Sequence, residues 1–189
     1  ENDKKRMYSV YRKSCFVMNS LAFICCAGFI ACIQDFIYIV FGSNFVLSFS
    51  CVLILVFSML IYLLDIPIIS VQNAMGLHRC DAGVMIIQAV LAIACGYGAG
   101  KVWGMEGILL GLTIPTVIFT FIHKGIVISK VAFEVTSYKY LKDMGSDLIK
   151  GIVIIGVISA ICNCIPAWNP VIAMILKGIL SVIISGILI

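Results

Sequence analysis

Along this chain apolar residues follow one another in blocks about as long as a bilayer is thick, with polar residues confined to the turns between them. The first block, Cys15 to Phe41, would be about 40 Å long as one helix against roughly 30 Å of hydrocarbon, so it must tilt, kink or project. Gly42-Ser43-Asn44 ends it, and Phe45 to Leu64 forms a second block without a charge, with Asp65 and Pro67 marking its exit or a kink. A polar turn from Gln72 to Asp81 leads into a third block, Ala82 to Ala99, whose strongly polar side chain is Gln88. Past Lys101, Trp103 and Glu106 comes a fourth, Gly107 to Ile122, able to continue past His123 and Lys124. A fifth, Leu148 to Ile165, closes at Pro166-Ala167-Trp168-Asn169-Pro170, and a sixth, Val171 to Ile189, contains Lys177.

Blocks of this kind predict helices, because lipid offers backbone groups no partner and the alternation of barrel strands is missing. The expected fold is all-α: a polytopic membrane protein of about six transmembrane helices. Its segments are a lead-in over 1–14, a four-helix bundle over 15–133, a linker over 134–147 at the headgroup level or in solvent, and a final helix pair over 148–189.

Composition removes the soluble alternative. Apolar residues make up 62% of the 189 and charged residues 12%, too few to cover a soluble surface. The net charge of +4 sits in the connections and not in a stripe interleaved with aromatics, so nucleic acid is not an expected partner. Of the nine cysteines all but Cys80 lie in or beside apolar blocks and read as small packing residues. No signal peptide pattern is present at the start. The first residue, Glu1, and the last, Ile189 inside an apolar run, give the expectation that this is a piece of a longer chain.

Charge also predicts orientation. With a cytoplasmic N-terminus, all of the 13 Lys and Arg except Lys101 and Lys177 face inward, while Trp103 and Trp168 fall in outer turns. The expectation is an inner (cytoplasmic) membrane location with both ends inside.

Several stretches, in order, resemble a known family. They are the charged lead-in from Asn2-Asp3 to Tyr11-Arg12-Lys13, the run Asp35 to Gly42 before a short turn, and Pro67 to Gly76. They continue with Gly104-Met105-Glu106-Gly107-Ile108 followed by Gly111, then Ser129 to Phe133 and Tyr138-Lys139-Tyr140. This pattern is similar to the C-terminal part of the polysaccharide and lipid-linked oligosaccharide flippases of the multidrug/oligosaccharidyl-lipid/polysaccharide exporter superfamily. The resemblance implies the C-terminal portion of a two-bundle flippase fold, the last six of about fourteen helices facing a central cavity. It implies translocation of an undecaprenyl-diphosphate-linked repeat unit for polysaccharide biosynthesis. The partners it implies are membrane lipid, the lipid-linked oligosaccharide, the preceding helices of the same carrier and polysaccharide-assembly proteins.

Three residues are substrate-binding candidates. Lys177 lies well inside its span, where a charge is a functional candidate by default; the alternative is a stem that snorkels to the headgroups or pairs locally. Asp35 falls near the outer interface, as part of a gate or as a solvated carboxylate. Gln88, like Asn19, sits inside a span and suits an interhelical hydrogen bond as well as a ligand contact.

Gly107 and Gly111 form a small-x-x-x-small pair for close helix packing. Neither a catalytic nor a metal residue is assigned, and no cofactor. His78, Arg79 and Asp81 share one turn without a partner at metal spacing, and Cys162 and Cys164 have no further ligand. Two other functions compete: a cation-coupled multidrug antiporter of the same superfamily, which needs buried carboxylates, and an integral-membrane glycosyl- or acyltransferase, which would have to use the His78 to Asp81 turn.

Overall fold

The structure, a computed structural model, describes residues 2–76, 78–124, 137–163 and 170–188. The described chain is helical: α1 (Asn2–Phe41), a short 3-10 turn (Ser43–Phe45), α2 (Phe49–Met75), α3 (His78–Ile118) running into a π-helical turn (Phe119–Lys124), α4 (Ser137–Asn163) and α5 (Pro170–Leu188). Four helical stretches are long and apolar enough to cross a membrane, Arg6–Phe41, Phe49–Met75, Gly83–Ile118 and Tyr138–Ile161, with a shorter apolar helix over Val171–Ile187.

The expected count of about six is met only in this coarser form, because the third and fourth blocks belong to one helical element. That element is not straight. At Gly104 the backbone takes φ 61 and ψ −134, a conformation few residues other than glycine adopt. Gln88 Nε2 donates to Thr116 Oγ1 at 3.2 Å, whereas 28 residues of straight helix would separate them by about 42 Å. α3 is therefore a hairpin of two antiparallel arms, 78–103 and 105–118. A Cβ at Gly107 would collide with the Ala99 carbonyl and one at Gly111 with the Gly96 backbone, so the arms touch main chain to main chain.

α2 runs further than its apolar block. Ser48 caps its start, its side chain accepting from Cys51 N at 3.2 Å, and Gly76 in the left-handed region (φ 67) stops it. The expected exit at Asp65 and Pro67 is instead interior helix. Proline removes only the bond to the Leu63 carbonyl, and Asp65 is held by a lysine from the hairpin, so neither residue breaks the helix here.

The lead-in is likewise the first turns of α1, and residues 137–147 are the first turns of α4. Each is anchored by the other. Tyr11 stacks on Tyr140 at 6.5 Å between centroids, with Cys15, Ile68 and Met144 around them.

α1 is the central post of the bundle. Its stripe Phe23, Cys26, Ala27, Ile30 and Ala31 packs against Val52, Val56, Leu60 and Leu64 of α2 and Ile154, Ile155 and Ile158 of α4. α5 lies antiparallel along it through small groups: Gly28 meets Ser181, and the Cys32 thiol donates to the Met174 carbonyl at 3.5 Å. The outward faces stay apolar, as at Ile86, Ile93 and Val102, the surface expected of helices bathed in hydrocarbon.

Candidate functional site

In an apolar bundle the places where charge is held inside are the candidates for function. Among the described residues three groups of charged side chains bridge helices. Toward the end of α1 that is joined to α2, Lys177 Nζ of α5 donates to Asp35 Oδ2 at 2.7 Å, with the two side chains 15% and 18% exposed. Asp35 lies six residues before the end of α1 and Lys177 seven after the start of α5, so the pair is about 10 Å inside both helix ends.

The second pair joins Lys124, in the π-helical turn, to Asp65, which is 5% exposed in α2. The π turn follows Pro115, whose missing N–H already leaves the Gly111 carbonyl without its helical partner, and it carries Lys124 over α2.

A third cluster ties α1 to α4 at the opposite end of α1 from Asp35. Asp147 Oδ2 accepts from Arg12 Nη1 at 3.1 Å and from Asn19 Nδ2 at 3.0 Å, while Lys150 Nζ stands 3.7 Å from Asp147 Oδ1. Tyr8 donates to Asp143 Oδ2 at 2.6 Å. Along α1, Asn19 and Asp35 are separated by about 24 Å of helix, so the Arg12–Asp147 cluster and the Asp35–Lys177 pair bracket a span of nearly hydrocarbon thickness.

Comparison with protein-family models, with curated proteins and with solved structures returns no match.

The three sequence candidates thus divide. Lys177 and Asp35 meet, on helices whose contact residues are 142 positions apart. Gln88 stands elsewhere, inside the hairpin, with Thr116 as its partner. The side chains of His78, Arg79, Asp81 and Cys162, together with Cys164, the turn 164–169 and the linker stretch 125–136, lie outside what the structure describes.

Asp65 and Lys124 were not singled out as a site from the sequence. The available signal was the length of the apolar block before Asp65, already enough to span, together with a carboxylate in the turn of helix that follows it.

Two of the cavities beside α1 are roomy. One, of about 520 Å³, is apolar, lined among others by Ile30, Leu53, Phe57, Leu60, Ile152 and Ala160. The other, of about 450 Å³ between α1 and α4, is polar at one end (Asn19, Asp147, Lys150) and apolar along its length (Phe23, Val153, Val157). At the hairpin tip the Ser48 hydroxyl donates to Glu106 Oε1 at 2.7 Å, and deeper in the bundle Ser58 and Thr113 are hydrogen-bonded. The hairpin is therefore fastened to α2 by hydroxyl contacts along one side, and its first arm is largely uncovered.

Proposed function

We propose that this chain is the C-terminal bundle of a carrier that moves a lipid-linked oligosaccharide, an undecaprenyl-diphosphate-linked repeat unit, across the cytoplasmic membrane. The observation that carries this reading is the Asp35–Lys177 pair: a cation and an anion kept inside the apolar stretches of two helices. A lysine in that position is a natural contact for a diphosphate, released when the carboxylate lets it go. The grooves on α1 supply the apolar wall that a polyprenyl tail requires.

In this reading α1, α2, the two arms of α3, α4 and α5 make six crossings with both ends inside. The helices that precede this chain complete the central cavity, and the chemistry is transport, not group transfer. Export of surface polymer from cells that depend on the intact carrier tests it. Lys177→Ala is expected to abolish export with the protein still present in the membrane, and unchanged export removes Lys177 from the mechanism.

Cation-coupled antiport is favoured by one observation, the burial of Asp65 within α2. Loss of ion-gradient dependence in Asp65→Asn, with substrate binding intact, would favour that second reading.

A further inference from the structure

Asp65, at 5% exposure, is the most buried carboxylate among the described residues, and three other elements bring groups toward it. From the π-helical turn Lys124 donates to its Oδ2, with His123 just before Lys124 in the same turn. From α4 the Tyr140 phenol lies within electrostatic reach of it. From α1 the Tyr11 hydroxyl is hydrogen-bonded to Tyr140 and meets the Cys15 thiol.

The tyrosines lead out of the bundle. Tyr11 and Tyr140 are both buried and line a polar cavity of about 10 Å³, the size of one water, whose walls also include Tyr8, Asp143 and Asp147. Tyr8 donates to Asp143, and the Asp143 side chain is 32% exposed. Groups able to pass a proton thus run from the solvated rim at Asp143 to Tyr140, the phenol nearest Asp65 in the row.

The same carboxylate fastens the hairpin. Ser48–Glu106 and Ser58–Thr113 hold it along the first part of α2, and Lys124–Asp65 holds the far end of its second arm. A metal cation is a poor rival for Lys124, because hard cations need several oxygens around them and the groups brought to Asp65 are an ammonium and a phenol. A proton needs the carboxylate alone.

We propose that Asp65 is a proton-binding site, filled from the N-terminal end of α1 through one water and Tyr140, and that its protonation releases Lys124 and the end of the hairpin that Lys124 holds. One proton enters from solvent at the Asp143 rim. The water hands a proton to the Tyr140 hydroxyl, Tyr140 passes its own to Asp65, and the carboxylate becomes a neutral carboxyl while Lys124 stays an ammonium. The neutral pair becomes a single positive charge, which an apolar interior expels toward the headgroups. The proposal rests on the cation-coupled reading above and names its ion and the way in.

The test uses the purified full chain in lipid nanodiscs. As pH falls, infrared difference spectra are expected to gain the carbonyl band of a protonated carboxyl, absent in Asp65→Asn. Over the same range spin labels at the exposed positions Met85→Cys and Lys142→Cys, on a cysteine-free background, should move apart. Tyr140→Phe keeps the ring stack with Tyr11 and is expected to slow the band after a pH jump by about tenfold or more, with its final height unchanged. Absence of an Asp65-dependent band, or a spacing that ignores pH, overturns the proposal, and an unslowed Tyr140→Phe overturns the route. Should Asp65→Asn fail to fold, Lys124→Gln decides: the spacing is expected to be wide at every pH, and one that still follows pH overturns the proposal. Widening by sodium at constant pH overturns the proton as the ion and leaves cation coupling at Asp65 standing. Transport indifferent to every ion gradient overturns that reading and the proposal with it.

Discussion

Lys177 and Asp35 are charge partners within hydrogen-bonding distance on helices that otherwise meet through glycine, serine and cysteine. A pair in such a setting is harder to halve than to remove. Lys177→Met alone is expected to destabilise the detergent-solubilised protein by about 2 kcal/mol, because Asp35 is left without its cation. The double variant Asp35→Leu with Lys177→Met should recover most of that loss, as read by thermal unfolding. A double variant less stable than Lys177→Met would show that the pair contributes more than mutual neutralisation.

The charge swap Asp35→Lys with Lys177→Asp separates structure from transport. Stability is expected to return near that of the unmodified protein, whereas polymer export should not, since the substrate would then meet a carboxylate where it met a lysine. Export restored by the swap would make the pair purely structural.

The hairpin gives a contrast between glycines. Gly111→Val has no room against the Gly96 backbone and is expected to pry the arms apart, breaking the Gln88–Thr116 bond and lowering the unfolding temperature sharply. Gly98→Ala meets nothing within 4 Å and replaces a poor helix former, so it should be neutral or stabilise by up to about 1 kcal/mol. Thermal unfolding of the two variants in parallel checks both statements.

Asp147 collects Arg12, Asn19 and Lys150, while Asp143 serves Tyr8 and a more distant Arg12 at 4.0 Å. Asp147→Ala is expected to cost more than Asp143→Ala by about 1–2 kcal/mol, since it strands a buried amide as well as a guanidinium. Proteolysis within the first turns of α1 should rise in step, because that end of α1 is held to α4 by this cluster. Equal effects of the two substitutions would disprove the ranking.

Topology is checked by thiol labelling in intact cells on a cysteine-free background. Trp103→Cys at the exposed hairpin tip is expected to react with an impermeant reagent from outside, and Arg6→Cys only after permeabilisation. The reverse pattern would invert the proposed orientation.

What the sequence made legible follows from what lipid enforces. Long uncharged runs have to be helices, so the apolar blocks and the turn glycines at Gly42 and Gly76 were readable one by one. Partnership was not. Asp35 and Lys177 each stood out as an anomaly in an apolar setting, but 142 residues of separation hide the fact that they answer each other.

Asp65 looked like the end of a helix because a carboxylate next to a proline usually is one; its partner, Lys124, reaches it from a π turn that no spacing rule signals. Gly107 and Gly111 read correctly as close-packing residues, while the surface they pack on, Gly96 and Ala99 of the same hairpin, became visible only once Gly104 was seen to reverse the chain.

The reversal at Gly104 also sets an order of assembly. The two arms meet across a loop of about one residue, so closing the hairpin costs little chain entropy and can proceed as soon as residue 118 has left the insertion machinery. α1 is in the opposite position. Its seam with α5 waits for residues 170–188, and until then Asp35 has no Lys177 and the small-residue face of α1 lies open, which makes the interval before α5 arrives the time when this bundle is most exposed to mispairing and to membrane quality control.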